Sequence, residues 1–366
     1  MTRPTVAIID LKALRANFAL VKSLAPEASI IPMVKANAYG HGMVEVCRAL
    51  SQSALAFGVA SIDEALVLRE AGIKQPILLL EGTFSSDEVE IAAANNFMLM
   101  VENSAQKDGI INASISHPVS VWLGVDTGMH RLGFQPQEAT QTYLALSNTD
   151  NVAKPIVVAS HFACADDLGS SATKKQMAIF DRWITTLKPT AGDVIAESLA
   201  NSAAILAWPE THRDWQRPGY MLYGNSPFSE GQDNANKLQP VMSLQSAVIS
   251  VRHIASGESV GYTANWTAGR DSIIATITVG YGDGYPRQAP NGTPVLVNGE
   301  RCPLVGRVSM DMITVDVTDL NPVSIGDKVI LWGPELSVNE IAEYCNTIGY
   351  ELLTRMPSRV PRVYSN

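Results

Sequence analysis

At 366 residues the chain is long for a single domain and fits two. With 46% hydrophobic and only 17% charged residues it is a globular chain with a large core, which excludes a disordered protein. A net charge of −9 without any Lys/Arg run excludes nucleic acid as the main partner, although a few arginines and backbone amides could still bind a small anion. Cys47, Cys164, Cys302 and Cys345 are widely spaced and form no C-x-x-C pair, which suits reduced thiols better than a disulfide framework or a zinc site. The N-terminal run 1–10 has no apolar signal region, and no stretch approaches 18 uninterrupted apolar residues. A cytoplasmic protein with no membrane segment is expected.

In chain order, a first strand at 4–9 is followed by short apolar runs at 30–34, 55–59, 77–80, 97–101, 119–125, 156–160, 194–197 and 215–217. Segments with helical spacing separate them; the one from Ser61 to Gly72 has a capping serine and a terminal glycine. Eight strands alternating with helices, with no Gly-rich dinucleotide loop after the first, predict a TIM-like (β/α)8 barrel over residues 1–237. A doubly wound sheet is the alternative on pattern alone. The first strand, 4–9, can instead pack with a second domain. After the polar stretch 229–236 the character changes to β-rich runs at 241–251, 272–279, 294–297, 313–317 and 328–332. Turn signals at Asn291-Gly292, Asn298-Gly299 and Gly326-Asp327 punctuate them, and one helix falls near 338–345. Residues 238–366 are therefore expected to form a mainly β domain.

Chemistry-bearing residues fall where a barrel puts them, at the C-terminal ends of strands. Lys35 closes the run Ile30-Ile31-Pro32-Met33-Val34 and precedes Ala36-Asn37-Ala38-Tyr39-Gly40. A lone lysine there commonly snorkels to water. A desolvated one loses proton affinity and becomes nucleophilic enough to form a Schiff base. Arg131 lies after the fifth barrel strand, His161 ends the sixth, Asn201 and Ser202 follow the seventh, and Arg217-Pro218-Gly219-Tyr220 close the eighth. Loops after the last two strands of such barrels commonly bind phosphate through backbone amides, which places Ser202, Gly219 and Tyr220.

The stretch Met33–Gly42, the segment Ser259-Val260-Gly261-Tyr262, the run Gly306-Arg307-Val308-Ser309-Met310-Asp311 and the run Val279-Gly280-Tyr281-Gly282-Asp283-Gly284-Tyr285-Pro286-Arg287 together resemble the alanine racemases, over essentially the whole chain. The resemblance implies pyridoxal 5'-phosphate joined to Lys35. It implies that Tyr39, Ser202, Gly219 and Tyr220 hold the phosphate, that Arg217 faces the pyridine nitrogen, and that His161 and Asn201 border the cofactor. Because arginine keeps its proton at neutral pH, the ring nitrogen would stay unprotonated, making the cofactor a weaker electron sink.

A racemase needs a proton-transfer group on each face of the planar carbanion. By resemblance the second is Tyr262, reaching the other subunit of a homodimer, with His161 and Arg217 lowering its high intrinsic pKa. Met310 and Arg131 would bind the substrate carboxylate, and Tyr281, Asp166, Arg287, Arg307 and Asp311 would line the entrance. L- and D-alanine are the implied substrates, and D-alanine for peptidoglycan the implied role.

Two positions depart from the family. Gly124 stands where many members have a carbamylated lysine, so a bound anion, water or a carboxylate from elsewhere in the chain is expected beside Arg131. Ser358 stands where many have a tyrosine, which leaves room for a broader racemase acting on serine or larger side chains. Barrel-type decarboxylases place a carboxylate at the pyridine nitrogen, so Arg217 disfavours them. A mere cofactor carrier would not need Tyr262 or Met310.

Overall fold

The computed structural model describes residues 3–191 and 195–366. Its strands, in chain order, begin with β1 (Val6–Asp10), β2 (Ser29–Ile30), β3 (Phe57–Val59), β4 (Ile77–Leu79), β5 (Phe97–Val101) and β6 (Val119–Gly124), and continue with β7 (Val152–Ala159), β8 (Ala196–Ser198) and β9 (Trp215–Gln216). Strands β3 to β8 form one six-stranded parallel sheet in sequence order. β3, β4 and β5 are buried at every residue, as strands covered on both faces must be, and so read as continuous apolar runs.

β2 and β9 pair with each other in parallel and close the ring. On one side Met33 bridges to Gly58; on the other the Arg217 amide donates to the Ala200 carbonyl at 3.0 Å. The interior is filled rather than hollow, with Ile31, Leu78, Met98, Met100, Trp122 and Val157 in one buried cluster. Trp122, 1% exposed, meets Trp215 edge-on at 5.5 Å across the barrel axis.

The helix Leu11–Leu24 starts where Asp10 Oδ1 accepts from the Lys12 and Ala13 amides at 2.8 and 2.9 Å, a cap worth about 1 kcal/mol. It buries Leu11, Leu14, Phe18 and Val21 on one face. Asn17 on that face donates to the carbonyls of Leu222 and Gln239, tying the barrel to the segment leaving it.

The second sheet is built around β10 (Met242–Ile254), whose two register shifts let it serve partners along its length. It pairs antiparallel with β1, with β13 (Ser272–Ile277) and with β17 (Lys328–Trp332). β14 (Pro294–Val297), β15 (Glu300–Pro303) and β16 (Ile313–Asp316) extend it, and β18 (Arg362–Ser365) adds in parallel beside β1. The first and last strands thus lie side by side in this sheet. A separate hairpin of β11 (Ser259–Val260) and β12 (Trp266–Thr267) projects from the domain.

The observed strands differ from the sequence-based bounds mainly at their ends. Of the run at 30–34 only Ile30 joins the ladder of β2, with Met33 making a separate bridge before Lys35, and the run at 156–160 falls mostly in a longer strand, Val152–Ala159. In the run at 194–197, Val194 lies outside the described residues, and the strand covers Ala196–Ser198. β15 and β18 carried too little apolar alternation to be seen in the sequence. No helix among the described residues is long and apolar enough to cross a membrane.

Candidate active site

Lys35 follows the end of β2, and the four residues after it take an unusual path. Ala36, Asn37, Ala38 and Tyr39 all have φ between 51° and 55°, one turn of left-handed helix built without glycine. Each such residue costs about 1–2 kcal/mol, so the surroundings must enforce the turn. Glu64 accepts from the Ala36 amide at 2.7 Å and from the Ala60 amide at 2.8 Å, anchoring the first residue to the next strand's loop. Asn37 Oδ1 caps the following helix at Met43, 2.8 Å away.

His41 is fully buried, with Nδ1 at 3.0 and 2.9 Å from the carbonyls of Ala38 and Tyr39. Both neighbours only accept, so Nδ1 bears the proton; burial holds the ring neutral, its pKa pushed down to about 4. Its ring stacks on Tyr223 at 4.4 Å, and Tyr223 in turn stacks on Tyr39 at 4.8 Å and donates to the Met33 carbonyl at 2.8 Å. The turn is thus packed into one orientation, which aims Lys35 and Tyr39 into the mouth.

Burial lowers the Lys35 pKa, and Arg131 lowers it further; Glu81 and Glu64 oppose them. The amine is therefore more available as a nucleophile and base than an exposed lysine. At the end of the neighbouring strand, where the Met33 amide donates to the Pro218 carbonyl, Ser202 Oγ accepts from the Gly219 amide at 2.9 Å and the Met221 amide at 3.3 Å. Asn201 caps the short helix Ser202–Ala207 through Ala204, at 3.1 Å. Gly219 precedes the 3-10 turn Tyr220–Tyr223, whose first amides have no partner within the turn. A Cβ at Gly219 would come 2.5 Å from Tyr39 Oη, so only glycine leaves this cradle open. Burial raises the Tyr39 pKa to about 12, which keeps its hydroxyl a donor.

The side chain of Tyr220 is engaged elsewhere, so the part in holding phosphate expected of Tyr220 falls to its backbone. Its hydroxyl donates to Asn339 at 2.5 Å and its ring stacks on Tyr350 at 3.6 Å, so its side chain braces the wall and only its backbone is free for the cradle.

Arg217 is buried, donating to Ser198 Oγ at 2.5 Å and to the carbonyls of Ser160 and Leu199 at 2.5 and 3.2 Å. Desolvation lowers its pKa to about 10 while Glu102 raises it, so it stays a cation at neutral pH. Its second nitrogen lies 3.4 Å from His161 Nδ1. Desolvation, then Arg217, Arg131 and Lys35, push His161 well below its usual pKa. The ring has an exposed edge in the single chain, so its cationic neighbours are the firmer cause of that shift.

Arg131 is exposed on the loop after β6. Asp126 organises that loop, accepting from the amides of Gly128, Met129 and His130 and from the side chains of His130 and Gln135. Burial works to raise the Asp126 pKa, but the donors at Gly128 and His130 outweigh it and hold the group below its ordinary value.

The remaining expected residues are mostly exposed in the single chain. Tyr262 stands at the tip of the β11–β12 hairpin, 68% exposed; Met310 is 53% and Tyr281 40% exposed. Arg3, Arg359 and the Gly280 amide converge on the buried carboxylate of Asp283, and Arg359 also bonds Asp311. The Tyr281 and Gly282 amides donate to Ser309 and Met310, so the Tyr281 and Met310 loops form one rigid, outward-facing surface. Arg287 and Arg307 are exposed. Asp166 is exposed too and lies near enough to Tyr350 to add to the rise in its pKa that burial and Tyr39 cause. Ser358 is exposed.

Such a mouth suits one class of protein, an enzyme that works through a lysine amine on small anionic substrates. Residues 9–227 match the family model described as "Alanine racemase, N-terminal domain" and residues 241–364 the one described as "Alanine racemase, C-terminal domain". The chain belongs to the alanine racemase family. It is 48% identical to the alanine racemase of Vibrio cholerae over 362 residues, covering 99% of this chain and 98% of that protein. It is also 48% identical to the biosynthetic alanine racemase of Escherichia coli over 358 residues, covering 98% of each. The crystal structure of the biosynthetic alanine racemase from Pseudomonas aeruginosa superposes with a TM-score of 0.94 at 46% identity, over the full length of both chains.

The structure adds residues that the sequence did not single out. Glu64 and His41 enforce the left-handed turn, Tyr350 walls the cradle, and Arg362 Nε donates to the Gly40 carbonyl at 2.7 Å. Glu102 is the most informative. It closes β5 as Lys35 closes its own apolar run, and that shared position was its one legible signal.

Proposed function

We propose that this chain is a pyridoxal-phosphate-dependent alanine racemase, interconverting L- and D-alanine as a homodimer and supplying D-alanine for peptidoglycan. The observation that carries this is a lysine of lowered pKa facing a cradle that a single Cβ at Gly219 would fill. The donor set fits the cofactor. Tyr39 Oη, Ser202 Oγ and the backbone at Gly219 and Tyr220 suit a phosphate, Lys35 suits the aldehyde, and Arg217 suits an unprotonated ring nitrogen.

When bound, pyridoxal phosphate supplies an electron sink for the charge left as the substrate's α-proton departs. Lys35 Nζ holds or moves that proton on one face. Tyr262 of the partner subunit does so on the other, its exposed position in one chain leaving it free to enter a neighbour's mouth. Arg131 and the partner's Met310 backbone orient the substrate carboxylate. Arg217, protonated at neutral pH, would hold the ring nitrogen of the bound cofactor as a donor that does not give up its proton, and so would favour proton transfer over transamination. Asp166, Arg287, Arg307, Asp311 and Tyr281 line the approach.

Subunit complementation tests both the residues and the shared site. Lys35→Ala and Tyr262→Phe should each be inactive as homodimers. Mixed in equal amounts, half of the dimers would contain both variants, each with one intact composite site, restoring about a quarter of the wild-type activity. Absence of recovery, with subunit exchange demonstrated, would mean that each chain builds its own site.

A further inference from the structure

Gly124 ends β6, and Glu102 lies just past the end of β5, so the two sit side by side on neighbouring strands. A Cβ at Gly124 would lie 1.9 Å from Glu102 Oε2 and 3.0 Å from Oε1. The glutamate therefore occupies the space that any side chain at 124 would claim. The loop that presents Arg131 closes over the same point. The Phe134 amide donates to the Gly124 carbonyl at 3.0 Å, and Gly133 approaches the Gly124 and Val125 backbone so closely that a Cβ there would fall 3.1–3.2 Å from it. Leu132 and Glu102 line one cavity of about 430 Å³. Arg217 and Arg131 both act on the Glu102 carboxylate, and among the described residues Glu102 is the acid that acts on the buried Arg217.

Three cations, Lys35, Arg131 and Arg217, converge on this mouth. Arg217 is buried and Lys35 half-buried, so their charges, with that of Arg131 at the exposed rim, repel one another unless an anion lies among them. We propose that Glu102, seated in the space left by Gly124, is a positioning residue whose carboxylate holds Arg131 in place to receive the substrate's carboxylate. Gly124 and Glu102 then act as a pair: the first makes the room and the second fills it with charge. The assignment rests on the racemase reading above, since it presumes that Arg131 binds substrate.

Acetate, a small carboxylate without the substrate's amine, serves as the probe alongside alanine kinetics in the cofactor-loaded enzyme. Glu102→Gln keeps the shape and removes the charge. It should raise KM for alanine and the acetate Kd about tenfold, with kcat and cofactor loading little changed. Burial raises the Glu102 pKa to about 7, against the pull of Arg217 and Arg131. Acetate binding to the wild type should therefore weaken as pH falls through 7, and the Glu102→Gln variant should lack that step. Other groups bearing on the basin are Lys35, Glu81, His161 and the two arginines; the variant comparison isolates Glu102 from them.

The second arm is geometric. Gly124→Ala alone should weaken acetate like Glu102→Gln, because its Cβ displaces the carboxylate. Added to Glu102→Ala it should cost nothing further. Unchanged or tighter acetate binding in Glu102→Gln would overturn the proposal, the latter showing a carboxylate that only weakens Arg131's charge. So would additive effects of Gly124→Ala and Glu102→Ala. A wild-type protein that fails to racemise any amino acid would instead refute the racemase reading itself.

Discussion

Glu102→Gln should stabilise the protein at pH 8 and lose most of that advantage by pH 5. Burial moves the Glu102 carboxyl from an ordinary 4.5 to about 7, with Arg217 and Arg131 pulling the other way. Between those two values the folded chain retains a proton that the unfolded chain has released. Stability therefore falls as pH rises through this window, and above it the full cost of holding the charge in the barrel mouth is present. At about 1.4 kcal/mol for each tenfold change in proton affinity, the interval from 4.5 to 7 corresponds to roughly 3 kcal/mol per chain. Glu102 keeps some contact with solvent, which reduces the expected gain to about 2 kcal/mol. Glutamine has the same shape without the titration, so it should recover that amount at pH 8. The assay is denaturant unfolding of the loaded enzyme, wild type against variant, at one fixed subunit concentration and at pH 8, 6.5 and 5. The gap should shrink steadily toward acid. A pH-independent gap, or one that widens at pH 5, would refute this account of the charge. The expected pairing of higher stability with weaker substrate binding is the pattern of a charge kept for function at the expense of the fold.

Gly219→Ala should weaken pyridoxal-phosphate binding at least tenfold, about 1.4 kcal/mol, because the new Cβ lands 2.5 Å from Tyr39 Oη and the Tyr39 ring, stacked on Tyr223, has nowhere to retreat. Cofactor titration by fluorescence checks this, and an unchanged affinity would remove Gly219 from the cradle. Tyr262→Phe should leave cofactor attachment intact but slow α-proton exchange from L-alanine more than from D-alanine in deuterated solvent. Equal loss of both exchange rates would contradict the assignment of Tyr262 to one face and Lys35 to the other.

The sequence made several things legible because they depend on local physics. Fully buried strands such as Phe97–Val101 read as unbroken apolar runs, and their alternation with capped helices announced the barrel. Lys35, Arg131, His161, Asn201 and Arg217 stand out because a barrel presents functional groups at strand ends, a rule that needs only the strand order. Short or irregular pieces were harder. β18 owes its existence to pairing with β1 at the other end of the chain, β15 follows β14 across the Asn298-Gly299 turn but carries little apolar alternation of its own, and the left-handed turn after Lys35 contradicts the local preference of its two alanines and of Tyr39.

By itself, then, the sequence determined the architecture, the family and the set of polar groups available at the barrel mouth. It also showed that Gly124 lacks a side chain beside Arg131. Only the tertiary structure decided which group takes that space, because Glu102 and Gly124 belong to different strands and meet through the sheet rather than along the chain. The same holds for His41, whose buried ring fixes the turn that aims Lys35, and for Tyr220, whose hydroxyl is captured by Asn339 from the second domain. The physical reason is common to all three. A residue's type states which interactions it can make, but burial and the partners that the fold brings within a few ångströms select the one it does make.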